Sequence, residues 1–200
     1  EFGRDEDRYF FVMEYLDGQS YARALRRLRR RMPLEMHVRV VADALAGLHH
    51  AHELRDFDGT PLGVVHRDVS PQNVFVTYDG QVKLVDFGLA AVIGDPVTSS
   101  GEGTPRYSAP EQRFGALPDP RTDVFAFGAL LHHALVGPGP VDSVGSYAAL
   151  ARLGELSLPA EVDARLARIV ARCLANDPSA RYVDAGALAD ALHAPEDQGR

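Results

Sequence analysis

Apolar residues recur at Val38, Val41, Leu45 and Leu48, the spacing of one helical face, which predicts a helix over about 34–53. From Thr122 to Val136 the chain is apolar on nearly every side, as expected of a central buried helix, with Gly137 as its left-handed stop. Two more helices are expected at about 161–174 and 183–193, and one over 19–31 with a very basic face. Tyr9-Phe10-Phe11-Val12-Met13 reads as a strand that Asp17-Gly18 breaks, and it is expected to lack sheet partners. Asp79-Gly80 separates Val74–Thr77 from Val82–Val85, a hairpin signal, and Asp58-Gly59 gives a second one. Residues 88–121, rich in Gly, Pro, Ser and Thr, form a long loop of the kind that carries function.

These elements describe an α+β fold, mainly helical with a minor β element. The balance of 21 basic against 28 acidic residues gives a net charge of −7. That argues against nucleic acid or an anionic membrane surface as general partners, since both attract a basic field. The longest stretch without Asp, Glu, Lys or Arg, Val124 to Val141, holds His132, His133 and Gly-Pro-Gly-Pro, so it reads as core helix and loop, not as a membrane span. The lone Cys173 excludes an intrachain disulfide, fits a cytoplasmic setting, and is read as a packing residue. His49, His50 and His52 are read as helix-end packing in preference to metal binding, and the arginine run 26–31 as a solvated face in preference to a docking or phosphate patch.

Chemistry concentrates in four separated segments. They are His66-Arg67-Asp68-Val69-Ser70-Pro71-Gln72-Asn73, Asp86-Phe87-Gly88, Gly103-Thr104-Pro105-Arg106-Tyr107-Ser108-Ala109-Pro110-Glu111, and Asp123 with a later Asn176–Arg181. The first two set Asp68, Asn73 and Asp86 around a hairpin. Hard oxygen ligands converging at a loop suit Mg²⁺, which shares its remaining positions with phosphates. A carboxylate left off the metal can accept a proton from an attacking hydroxyl.

This order resembles the eukaryotic-like (Hanks-type) bacterial serine/threonine protein kinases, over roughly residues 9 to 193. The resemblance implies an ATP- and Mg²⁺-dependent transfer of the γ-phosphate to Ser or Thr hydroxyls of protein substrates. Asp68 would be the base. Asn73 and Asp86 would hold the magnesium ions, and Arg67 would meet a phosphate on the activation loop, with Thr98, Ser99 and Ser100 as unranked phosphosites. Thr104 would contact Asp68 through its hydroxyl. Met13 would be the gatekeeper, the backbones of Glu14 and Leu16 would bond adenine, and Phe75 would pack beneath it. His66 would stack on Phe87, Glu111 would pair with Arg181, and Asp123 would hold the catalytic loop by its backbone amides.

The same resemblance divides the chain into residues 1–16 (end of the N-lobe and hinge), 17–194 (C-lobe) and 195–200 (linker), with the N-lobe largely absent and any membrane tether outside the chain. No counterpart of the Gly-rich loop or the strand lysine is present, so the piece alone is expected to transfer phosphate poorly. Ser70 stands where the family usually has Lys. A pseudokinase or scaffold, and a small-molecule phosphotransferase, remain as alternatives.

Overall fold

A computed structural model describes residues 2–5, 8–28, 32–87, 104–114, 119–137 and 139–194. The candidate phosphosites 98–100, Gly88 and the tail 195–200 lie outside them.

The strands are β1 (Phe2–Asp5), β2 (Arg8–Phe11), β3 (Gly18–Ser20), β4 (Val74–Thr77) and β5 (Val82–Leu84). The helices are α1 (Tyr21–Leu28), α2 (Leu34–His52), α3 (Pro120–Val136), α4 (Gly139–Val144), α5 (Tyr147–Leu153), α6 (Ala164–Cys173) and α7 (Ala185–His193). β1 and β2 form an antiparallel hairpin, and β3-β4-β5 form an antiparallel sheet.

α3 is the hub. Every residue from Thr122 to His132 is buried, and α2, α6 and α7 pack around it. Such a helix needs capping from its own ends. Asp119 accepts the Arg121 amide, and Pro120 opens the first turn with its φ already set for a helix. The close approach of α6 depends on Gly128, where an added Cβ would stand 2.4 Å from the Cys173 Cβ. Cys173 is fully enclosed, and burial pushes its thiol up to about 12, so it is a packing residue with no thiolate to offer.

In the second sheet Val74 is fully buried, and Val76, Val82 and Leu84 lean on the core. Period-two alternation then places Phe75 and its cross-strand partner Lys83 on the opposite face. Asp79-Gly80 forms the expected turn, with Gly80 at φ 90°. Around Asp58-Gly59 a single bridge, Arg55 to Pro61, makes the second, smaller hairpin.

Several expectations need correction. The strand at Tyr9 has a partner, since β1 pairs with it in the register Arg4–Tyr9 and Gly3–Phe10, and it ends at Phe11, so Met13 is irregular. The helix expected over 19–31 starts only at Tyr21, because Gln19 and Ser20 are drawn into pairing with Val76 and Phe75. Gly137 has φ 86° but ψ −176°, an extended conformation open to glycine and not the left-handed helical one. α4 begins within the Gly-Pro-Gly-Pro stretch where a loop was expected, and α5 follows in a segment for which no element was expected. α5 is capped by Ser146 and stopped by a true left-handed Gly154.

Candidate active site

Asp123, at the N-terminal end of α3, is fully buried and receives three donors. The backbone amide of His66 reaches Oδ2 at 2.8 Å and that of Arg67 reaches Oδ1 at 2.9 Å. His52, from the last turn of α2, lies 3.0 Å from Oδ2. A carboxylate buried this deeply needs such partners to offset its desolvation. The grip matters because Arg67 sits at φ 69°, in the left-handed region that a side chain disfavours.

The turn presents Asp68. Its Oδ2 accepts from Asn73 Nδ2 at 2.9 Å, and its Oδ1 accepts from the Thr104 amide at 2.7 Å. Asn73 Nδ2 also donates to the Asp68 carbonyl at 2.9 Å. Both amide protons of Asn73 are thereby spent, leaving its Oδ1 as the open group. Asp86 follows a direct link, because the Val85 amide donates to the Asn73 carbonyl at 2.9 Å. Asp86 is exposed and also has a positive φ, 61°. No described residue pairs with its carboxylate.

His66 fixes the other side of the loop. Its Nδ1 accepts the Asp68 amide at 3.3 Å, which makes Nε2 the donor to the Val85 carbonyl at 3.0 Å. Its ring stacks on Phe87 with centroids 4.5 Å apart. Burial holds its imidazole below the ordinary range despite the opposing pull of Asp123, so the neutral form persists.

The third motif is tied in by Glu111 and Arg181. The two guanidinium nitrogens meet the two carboxylate oxygens at 2.6 and 2.8 Å. The other donors of Arg181 go to the carbonyls of Ala175, Arg121 and Asn176, so all five are used. Sequence reasoning missed Gln112, whose amide spans from the Arg67 carbonyl (2.9 Å) to the Ala109 amide (2.8 Å) and joins the loop of residues 66–73 to the Pro-Glu segment. It also missed His52. Its place one turn from the other histidines hid a contact 71 residues away.

Thr104 meets Asp68 through its backbone amide; the expected hydroxyl contact is not made. Met13 is 70% exposed, and no described group takes the backbone polar groups of Glu14 or Leu16. The Glu14 carboxylate pairs with Lys83 Nζ at 2.6 and 2.7 Å, drawing segment 12–16 onto β5. A cavity of ≈ 280 Å³ between this segment and the β4–β5 turn is lined by Glu14, Leu16, Asp17, Thr77 and Lys83; Phe75 does not line it. The Arg67 guanidinium has no partner among the described residues. Ser70 is fully buried, and its hydroxyl has no partner there either.

A family model described as "protein kinase domain" matches residues 1–193. The chain belongs to the protein kinase family. It is 42% identical to the tyrosine-protein kinase MasK of Myxococcus xanthus, over 96% of the chain and 32% of that protein. It is 35% identical to the serine/threonine-protein kinase PknL of Mycobacterium tuberculosis, over 96% of the chain and 48% of the relative. Against the serine/threonine-protein kinase drp72 of Corynebacterium efficiens the identity is 34%, over 92% and 35%. The chain thus spans a third to a half of the length of these relatives, and they support the bacterial Hanks-type assignment. No described helix is long and apolar enough to cross a membrane.

Proposed function

We propose that this chain carries the phosphate-transfer site of an ATP-dependent protein kinase acting on Ser and Thr hydroxyls. The observation that carries the reading is the pairing of a restrained Asp68 with two open oxygen donors. Asp68 is held at both carboxylate oxygens by Asn73 and Thr104, yet each oxygen keeps a lone pair for an incoming hydroxyl. Asn73 Oδ1 and the Asp86 carboxylate are the hard donors left over, and that set fits Mg²⁺. When bound with ATP, magnesium neutralises charge building on the transferred phosphoryl group. Asp68 would orient the substrate hydroxyl and take its proton. Arg67 would await an anionic group from the segment after Asp86, and the backbones of Glu14 and Leu16 would take the base beside Met13 and Phe75. On this reading residues 1–16 are the hinge side, 17–194 the C-lobe and 195–200 a linker, in a protein working in the cytoplasm.

One relative is named a tyrosine kinase, so the choice of hydroxyl is the point to measure. Full-length protein incubated with radiolabelled Mg·ATP and a mixed protein substrate should yield phosphoserine and phosphothreonine on acid hydrolysis. Phosphotyrosine alone would refute the Ser/Thr assignment. A second reading, a scaffold without catalysis, is favoured by Ser70. Its buried hydroxyl supplies no cation near the transferred phosphate, where the family's lysine would. Absence of any phosphoamino acid, with ATP still bound, would support that reading.

A further inference from the structure

The basic face expected on the first helix is present on α1. Arg23, Arg26 and Arg27 stand at i, i+3 and i+4, so they share one exposed face, while Tyr21, Ala22 and Ala24 bury the other. No described carboxylate pairs with any of the three, although the chain has 28 acidic residues. Arg26 and Arg27 in the last turn suit the helix dipole, but Arg23 sits in the first turn, where a cation is disfavoured. Like charges at this spacing also repel. The face is therefore electrostatically unsatisfied in a protein that is acidic overall.

Its location gives the second half of the argument. The Ala22 amide donates to the Pro71 carbonyl at 2.7 Å, docking the start of α1 on the loop that runs from Asp68 to Asn73. From Arg23 to Arg27 the face extends roughly 6 Å along the helix. An extended peptide advances about 3.3 Å per residue, so a substrate placed at Asp68 can lay residues a few positions from its acceptor along this face.

We propose that the α1 arginines form a docking surface for acidic residues flanking the acceptor of the protein substrate. The inference rests on the kinase reading for the position of the acceptor, but it can be measured without turnover. Fluorescein-labelled peptides with a Ser acceptor would be titrated with full-length protein by fluorescence anisotropy. One peptide set would be neutral; two would carry three Asp residues, on the N- or the C-terminal side. Three exposed arginine–carboxylate pairs should tighten binding of one acidic peptide about tenfold over the neutral one. The gap should shrink to about twofold or less in about 0.5 M salt. It should also collapse in R23Q/R26Q/R27Q and return in R23K/R26K/R27K. Equal binding of acidic and neutral peptides by the unaltered protein, or a gap that survives R23Q/R26Q/R27Q, would overturn the proposal. So would sedimentation showing that the same variant dissolves a dimer while the unaltered protein shows no acidic preference, which would assign the face to a second copy. Phosphorylation of the neutral peptide reports on the kinase reading separately, so either can fail without the other.

Discussion

Replacing Asp123 with Asn changes no volume but removes one acceptor and the charge from the anchor of the loop that presents Asp68. Oδ1 takes the Arg67 amide, and Oδ2 takes the His66 amide and faces His52. With the amide nitrogen placed at either position, at least one buried N–H loses its acceptor, a cost of about 1–3 kcal/mol. The bonds that remain lose their charge assistance. Release of Arg67 from its φ of 69° returns part of a strain of roughly 1–3 kcal/mol, but only by moving Asp68. The net expectation is a loss of about 2–4 kcal/mol in urea unfolding at neutral pH. Amide exchange at His66 and Arg67 should rise, and phosphate transfer should fall by more than about tenfold under conditions where the variant is folded. A stability change under about 0.5 kcal/mol, with exchange at those two amides unaltered, would refute the argument that Asp123 holds the turn.

Other consequences follow from single contacts. E111Q leaves a guanidinium fully enclosed without its counter-charge, and should cost about 3–5 kcal/mol in denaturant unfolding. G128A should destabilise by about 1–3 kcal/mol in thermal melts, despite the better helix propensity of Ala, because its Cβ meets Cys173. Burial, with Arg106 beside it, lowers His133 from 6.5 to about 4. The unfolded chain therefore takes up the proton first. The contribution is complete above pH 6.5 and is lost as pH falls from there towards 4. His133 alone accounts for up to about 3 kcal/mol, and His66, His37 and His132 act in the same direction. Unfolding titrations from pH 4 to 7 should show this slope, and H133Q should flatten it. K83A should change stability by less than about 1 kcal/mol, since its pair with Glu14 is exposed; if segment 12–16 takes the base as proposed, freeing it should also weaken ATP binding by the full-length protein, which isothermal titration would detect.

Parts of this architecture were legible because local pattern and tertiary role agree. α2 and α3 carry helical periodicity and continuous apolarity, and the Asp79-Gly80 turn specifies its hairpin by backbone preference. Asn73 reaches Asp68, and the residue before Asp86 bonds to the Asn73 backbone, because a hairpin folds their segments back. What escaped depends on long-range partners. β3 is a three-residue strand that exists only by pairing with β4, so its sequence resembles the start of the following helix. Gln112 and His52 act through contacts 45 and 71 residues away that no local spacing announces. α5 did leave a signal, the Ser146 cap and the Gly154 stop, hidden behind the Gly-Pro run. The lone lysine, Lys83, reads as an ordinary strand residue until the fold sets Glu14 beside it.

The central claim of the proposed function is that Asp68 would serve the incoming hydroxyl while Asn73 and Asp86 would hold the magnesium ions. Single-turnover phosphate transfer by the full-length protein, compared with D68N, tests it most directly. Asn keeps an acceptor for the Thr104 amide but cannot take a proton, so transfer should fall by roughly 10²–10⁴-fold with Mg·ATP affinity within about threefold. Transfer by D68N within about threefold of the unaltered protein would contradict the account.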